Sequence, residues 1–179
     1  MITRFLLTFL ISLLLANTAL GQRDYLTPQE VDLVKEAQIL DKRIDVFIRA
    51  AERRLIVING SAAANAKQLK KETERWGELP AGSRAELVSD IARIVDAAID
   101  NVDDVSLHDE RSPLIAKSLR KLAASANSIM AQLKPLSVQA KTDAEIASFE
   151  QLNEGVQSIT EAATKLPPEV EKKAKKDKN

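Results

Sequence analysis

The only histidine of the chain, His108, lies in the stretch "DDVSLHDER" beside several carboxylates. Imidazole and carboxylate groups are ligands for divalent metals, so Asp104, Asp109 and Glu110 make a metal site the first chemistry to consider. The spacing, however, lacks the glycine turn and the alternating ligands of a calcium loop. We therefore interpret the stretch as a solvated acidic loop at the end of a helix, and we predict no metal ligand in it.

Haem and nucleophilic chemistry find equally little support in the residue types. His108 and Met130 are the only histidine and methionine after residue 21, and no haem-attachment motif accompanies them. A methionine beside an apolar stripe ordinarily fills a gap in the core. The chain contains no cysteine and no glycine-rich phosphate loop, and no motif positions a general base for its serines. The sequence therefore predicts no catalytic residue, no cofactor and no enzyme activity.

Trp76 and the acidic pair Asp96 and Asp100 are the remaining candidates for binding chemistry. A tryptophan can stack on a sugar or a peptide, but a single tryptophan in an aromatic-poor chain more often fills the end of a helical core. The two aspartates are four residues apart, a spacing that puts both on one face of a helix, and a solvated charged face explains them. We assign no binding residue among the three.

Hydroxyl residues followed three positions later by glutamate mark where the helices begin. This capping pattern occurs at Thr27–Glu30, Ser83–Glu86 and Thr142–Glu145, and Ser112-Pro113 gives a fourth start without the glutamate. The hydroxyl accepts a hydrogen bond from a free amide of the first turn, and the glutamate bonds back to the amide of the cap residue. Four starts predict four principal helices.

Apolar residues recur every three or four positions after each start, the pattern of long amphipathic helices that pack at a shallow angle. We predict an all-α protein, an antiparallel bundle of four long amphipathic helices with a short extra helix. The predicted ranges are about 28–58, 84–106, 113–138 and 143–166 for the long helices and 61–76 for the short one. Two interpretations of 61–76 stay open, a separate helix or a continuation of the first, because the apolar spacing runs across Asn59-Gly60.

The first long helix carries a second apolar face, made of Ile39, Val46, Ala50 and Val57. These residues lie roughly 120° round the helix from the main stripe. In a core explanation, other helices or the 61–76 segment cover this face. In a functional explanation, the face is exposed and binds a second copy of the chain or a protein partner.

The N-terminus has the pattern of a secretory signal peptide over residues 1–21. Arg4 supplies the positive charge, Phe5–Ala16 form a 12-residue apolar run, and Ala19 and Gly21 are the small residues before a cleavage site. The run is shorter than the roughly 20 residues that cross a bilayer, which disfavours the alternative of a retained anchor. We predict cleavage before Gln22, export to the periplasm or the exterior of a bacterial cell, and no lipid anchor, since a lipoprotein has cysteine at that position.

The charge is balanced overall, with 26 basic and 26 acidic residues, but it is unevenly distributed. Acidic residues concentrate between Glu86 and Glu110, and five lysines follow Pro167-Pro168. This distribution provides no basic footprint for nucleic acid. We predict a single helical domain over residues 22–166 and a lysine-rich flexible tail over 167–179, which would contact an anionic surface only weakly.

The stretch "LTPQE" from Leu26 to Glu30 resembles the Leu-Thr-x-x-Gln motif of the Spy/CpxP-type periplasmic chaperones, helical proteins that cradle unfolded clients. The resemblance implies a holdase-type chaperone. It covers these five residues only, Glu30 stands where that family has glutamine, and helix capping accounts for the same residues. We assign no family from it.

These patterns lead to one expectation and two alternatives for function. We expect an exported, non-enzymatic helical bundle that acts as a structural or protein-interaction module of the cell envelope. Its contact with a membrane would be the transient one of the signal peptide, apart from weak contacts of the lysine tail. The alternatives are a small-ligand or metal-binding bundle and a periplasmic holdase-type chaperone.

Overall fold

The computed structural model describes residues 23–167, and the regular secondary structure within that range is entirely helical, so the predicted all-α class is confirmed. The helices of this range are α1 (Pro28–Glu36), α2 (Leu40–Ile58), α3 (Ala66–Trp76), α4 (Arg84–His108), α5 (Pro113–Ser137) and α6 (Asp143–Thr164). None of them combines the length and the apolarity that crossing a bilayer requires. The predicted signal peptide, 1–21, and the predicted tail beyond Pro167 lie outside the described residues.

The helices begin where the capping chemistry of the sequence places their starts. Thr27 and Ser83 each accept a hydrogen bond from the amide three residues later, and Glu30 and Glu86 bond back to the cap amides. Thr142 accepts the corresponding bond at the start of α6. The observed ends of α4, α5 and α6 agree with the predicted ends to within two residues.

The predicted first helix, 28–58, is wrong as a single element, because it is divided into α1 and α2. Ala37 leaves the helical conformation with a ψ of 81°, and Ile39 is extended with a ψ of 131°. The division lets α1 fold back against α2, so that Oε2 of Glu30 lies 2.8 Å from Nη2 of Arg54. A continuous helix would separate these two residues by about 36 Å along its axis.

The segment after α2 is a separate short helix rather than a continuation of the first. The predicted range is 61–76, and the observed helix α3 begins later, at Ala66, because a turn precedes it. Gly60 has a φ of +62°, in the left-handed region that favours glycine, and this conformation ends α2 and redirects the chain.

The core lies between α2, α4, α5 and α6. Each of α2 and α6 packs against both α4 and α5, whereas α4 and α5 contact each other less, although only a short turn joins them. The predicted apolar stripes supply the buried residues. The largest aliphatic side chains with no exposed surface include Ile44, Ile91, Leu133 and Leu152.

Side-chain contacts show the relative directions of these four helices. Two neighbouring pairs of helices are parallel, because residues with higher numbers in one helix contact residues with higher numbers in the other. Their contacts are Asp41–Lys117 and Asp45–Lys121 between α2 and α5, and Arg84–Glu145 and Asp96–Gln151 between α4 and α6. The other two neighbouring pairs are antiparallel. Their contacts are Arg43–Asn101 and Arg54–Asp90 between α2 and α4, Asn127–Thr160 between α5 and α6, and Arg120–Pro167 between α5 and the residue three positions after the end of α6. The prediction of an antiparallel bundle did not include the parallel neighbours.

The parallel packing of α4 and α6 can be tested at Gly155. A Cβ atom at this position would lie 3.2 Å from Asp96 Oδ1 and 3.3 Å from Val95 Cγ1. We expect Gly155→Val to lower the free energy of unfolding by about 2 kcal/mol, because the added methyl groups force the two helices apart. Urea unfolding followed by circular dichroism measures the change. Ala147→Val, on the exposed side of α6, is the control, and equal losses in the two variants would contradict the close contact.

Candidate functional site: a groove between α1, α2 and α3

A groove of about 650 Å³ opens beside the C-terminal ends of α1 and α3 and the N-terminal half of α2. Pockets of this volume accept a small ligand or several side chains of a partner. One face of α2 contributes Lys42, Asp45, Val46 and Arg49, whose spacing of three, one and three residues puts them side by side. The turn between α1 and α2 and the last residues of α3 complete the lining.

The apolar surface of the groove includes part of the second apolar face predicted from the sequence. Ile39 is 53% exposed, while Val46 and Trp76 are nearly buried beside it. Farther along α2, Ala50 is fully buried and Val57 is half-buried. The face is therefore covered along most of its length and open at the Ile39 end.

Two charged groups of the lining are already paired. Arg49 donates hydrogen bonds of 2.6 Å to Glu72 on α3 and 3.0 Å to Glu52, and Asp45 accepts a bond of 2.6 Å from Lys121. Burial disfavours the charge of Arg49, but the bonds to Glu72 and Glu52 outweigh this effect and raise its pKa. The bond between Arg49 and Glu72 also ties α3 to α2 across the groove.

The other charged groups of the lining are available to a ligand. Lys42, Arg75 and Glu36 form no ion pair with another residue of the described range. The lining residues without an ion-pair partner in this range are therefore two cations, Lys42 and Arg75, and one carboxylate, Glu36. A ligand that carries apolar groups and carboxylates would complement the two cations.

A buried ion pair holds α1 in its place beside the groove. Arg54 of α2 donates to both carboxylate oxygens of Glu30, at 2.9 and 2.8 Å, and to the carbonyl of Tyr25 at 2.6 Å. The side chains of Arg54 and Glu30 are 1% and 0% exposed. A bidentate pair of this kind compensates the loss of hydration of both charges and fixes their orientation.

The neighbouring arginine, Arg53, holds the end of α3. Its Nη2 donates to the carbonyls of Trp76, Gly77 and Glu78 at 3.2, 3.0 and 2.5 Å. Trp76 is the last residue of α3 and the other two follow it, so these carbonyls lie at the C-terminal end of the helix, where its dipole favours a cation. Burial lowers the pKa of Arg53, and Glu30, 3.5 Å from its Nε, partly offsets that effect.

A second charged cluster anchors the segment that precedes α1. Arg23 donates a 2.9 Å hydrogen bond to Asp90, whose side chain is 5% exposed and also lies 3.7 Å from Arg54 Nε. Burial raises the pKa of Asp90 despite these cations. A smaller cavity of about 310 Å³ adjoins this cluster. Because Arg23 and Asp90 already pair with each other there, this cavity offers less to a ligand than the groove does.

The residues first considered for metal or haem chemistry lie apart from the groove and from one another. His108 is the last residue of α4, is exposed, and has its Nδ1 2.7 Å from the carbonyl oxygen of Asp104. Met130 is half-buried against the core, about 26 Å along α5 from the turn that follows α4. His108 and Met130 therefore do not share a site. Within residues 23–167, no group of three or more His, Cys, Asp or Glu side chains is arranged to hold a metal ion.

Three residues that organise the site, Glu30, Arg53 and Arg54, are not among the candidates that the sequence patterns indicate, where Glu30 is only part of a helix cap. A signal was present in the spacing. Arg54 follows Ala50 by four residues and precedes Val57 by three, so it stands in phase with the second apolar face. A charged residue in such a position predicts a buried ion pair, although not its partner.

Comparison of the chain with protein-family models, with curated proteins and with solved structures finds no match in any of the three. The interpretation of the groove therefore depends on its geometry and chemistry.

The ion pair between Glu30 and Arg54 can be tested by removing one charge. Glu30→Gln keeps the size and the capping ability of the side chain but leaves Arg54 buried without its main counter-charge. We expect a loss of about 3 kcal/mol in the free energy of unfolding, measured by urea titration. Asp32→Asn, on the exposed side of α1, is the matched control, and we expect it to change stability little. Similar small losses in both variants would contradict the importance of the pair.

The bond between Arg49 and Glu72 predicts a pH-dependent contribution to stability. Burial favours protonation of Glu72, but its bonds to Arg49 and Gln68 outweigh that effect and lower its pKa below the ordinary 4.5. The lowered pKa of Glu72 therefore contributes to the free energy of unfolding above the ordinary pKa, and this contribution is lost as the pH falls through the folded-state pKa. We expect Glu72→Gln to lose about 1 kcal/mol at neutral pH, with a difference from wild type that shrinks on acidification. Unfolding titrations over pH measure this difference, and exposed Glu74→Gln is the control; a difference independent of pH would count against the bond.

Proposed function

We propose that the protein is an exported, non-enzymatic helical module that binds another protein of the cell envelope in the groove between α1, α2 and α3. The observation that carries the proposal is the exposure of Ile39, 53% of its surface, in a groove with free cationic side chains. Contiguous apolar surface in a polar-rimmed groove is typical of a protein-interaction site, and Val46 and Trp76 extend the apolar surface beside Ile39.

The partner segment that fits this groove best is a helix with an apolar face flanked by Asp or Glu. Its apolar side chains would cover Ile39 and contact Val46, as amphipathic helices do in hydrophobic grooves. Its carboxylates would meet Lys42 and Arg75, which have no ion-pair partner within residues 23–167. Glu36, the one carboxylate of the lining without an ion-pair partner in this range, would repel a carboxylate of the partner beside it.

The scaffold in this proposal is a four-helix bundle made of α2, α4, α5 and α6, with parallel and antiparallel neighbours. The contacts between these helices and their shared core support it. The leader pattern of residues 1–21 supports export, because a short apolar run that ends in small residues is typical of a cleaved signal peptide. The exposed large apolar residues of the described range are few, namely Ile39, Leu107, Val138 and Ile146. One specific partner therefore fits better than the broad client binding of a holdase.

A photo-crosslinking amino acid at Ile39, in the full chain expressed in its own cells, tests the proposal. We expect an adduct with a second protein, and none from the same amino acid at Val138, which is 83% exposed directly after α5, at the opposite end of the bundle. The purified partner should then bind the double variant Lys42→Glu/Arg75→Glu at least about tenfold more weakly than wild type. Lys134→Glu/Lys165→Glu makes the same change of charge on exposed positions outside the groove and is the matched control.

Three outcomes would contradict the proposal. An adduct between two copies of the chain would indicate self-association instead. Equal adducts from Ile39 and Val138 would indicate nonspecific contact. Unchanged affinity in the charge-reversal variant would place the partner elsewhere on the surface.

A further inference from the structure

The break between α1 and α2 contains one local side-chain bond, an exposed 2.6 Å hydrogen bond from Gln38 to the Lys35 carbonyl, but no helix-breaking residue. The residues Ala37, Gln38 and Ile39 include neither glycine nor proline, and Ile39 makes no side-chain cap bond at the start of α2. All three have ordinary to good helix propensity. The apolar spacing also continues across the break, from Leu33 through Ala37 to Leu40. Local sequence therefore favours one helix where the structure has two.

Two contacts between residues far apart in the chain, one bond within the segment and the burial of Leu33 oppose this local preference. Arg54 bonds to Glu30 and to the Tyr25 carbonyl, 24 and 29 residues away in sequence. Arg43 Nε donates to the carbonyl of Ala37 at 3.0 Å, which satisfies an acceptor that a continuous helix would have paired with a backbone amide. Leu33 is 4% exposed and belongs to the core.

We propose that α1 is a movable element with two positions. In one, the position observed, it is folded back on α2; in the other it lies in line with α2, and residues 28–58 form one helix. The in-line position completes the backbone hydrogen bonds between Ala37 and Ile39. It also separates Glu30 from Arg54 by about 36 Å and withdraws Leu33 from the core. The buried ion pair thus selects the folded-back position, together with the bond of Arg23 to Asp90 in the segment that would move with α1.

The movement would change the groove. Residues 36–39, at the end of α1 and in the following turn, line it, so the in-line position removes one of its walls. A ligand that binds the complete groove stabilises the folded-back position, and a protein that binds the straight helix opens the groove. This inference goes beyond the proposed function, because the free protein has both positions whether or not the groove binds a partner.

Pulsed electron paramagnetic resonance on the free protein tests the two positions. The chain has no cysteine, so Asp32→Cys and Asn59→Cys place spin labels at two exposed positions only. A straight helix separates these two positions by about 40 Å. The folded-back position gives a much shorter distance, since Glu30 contacts Arg54.

We expect the short distance to dominate in the labelled parent chain and a second, narrow peak near the long distance to appear on Glu30→Gln. Gln38→Gly weakens the straight helix and removes only one exposed hydrogen bond, to the Lys35 carbonyl, from the folded-back position. Adding it should lower the ratio of long to short distances by up to about threefold. Unfolding would instead give a broad distribution that Gln38→Gly does not change.

A single short distance in Glu30→Gln, with unchanged helical circular dichroism, would overturn the inference. If Glu30→Gln loses its helical signal, the distances are measured in the double variant Glu30→Gln/Arg54→Met. That variant removes both charges of the buried pair, so that neither is left without its partner. A narrow long-distance peak in the double variant supports the two positions, and its absence overturns them.

Discussion

The placement of α1 and α3 depends on one constraint, the burial of two consecutive arginines of α2. A guanidinium removed from water must meet a carboxylate or several carbonyl oxygens, since an uncompensated buried charge destabilises the fold by several kcal/mol. Arg54 meets Glu30, which requires α1 to fold back, and Arg53 meets the carbonyls at the end of α3. The two arginines thus attach α1 and α3 to the same helix and create the groove between them.

The position of α2 explains why its sequence is apolar on two faces. One face packs in the core with α4 and α5, and the other lies toward α1 and α3. Side chains rather than close backbone packing hold α3 to α2, as the bonds of Arg49 and Arg53 show. Space for a ligand remains between the two helices for this reason, and the exposed Ile39 lies at its edge. A rigid scaffold that carries an incompletely filled surface suits binding.

The all-α class and most helix boundaries could be predicted from the sequence, because they depend on local rules. Capping boxes at Thr27 and Ser83 and the three-and-four spacing of apolar residues act within one or two turns. The predicted second apolar face of α2 also located one side of the groove, through Ile39 and Val46. These features require no knowledge of what lies across the core.

Three features follow from the tertiary structure and not from local patterns. They are the break after Glu36, the parallel packing of α4 with α6, and the pairing of Glu30 with Arg54. Each depends on which residues meet across distances of many residues in the chain, and no local pattern encodes that choice. The sequence by itself determined that residues 28–58 favour a helix and that a charge stands in an apolar face. Only the folded chain decided that this charge has its partner 24 residues earlier, because burying the arginine is stable only where a carboxylate can reach it.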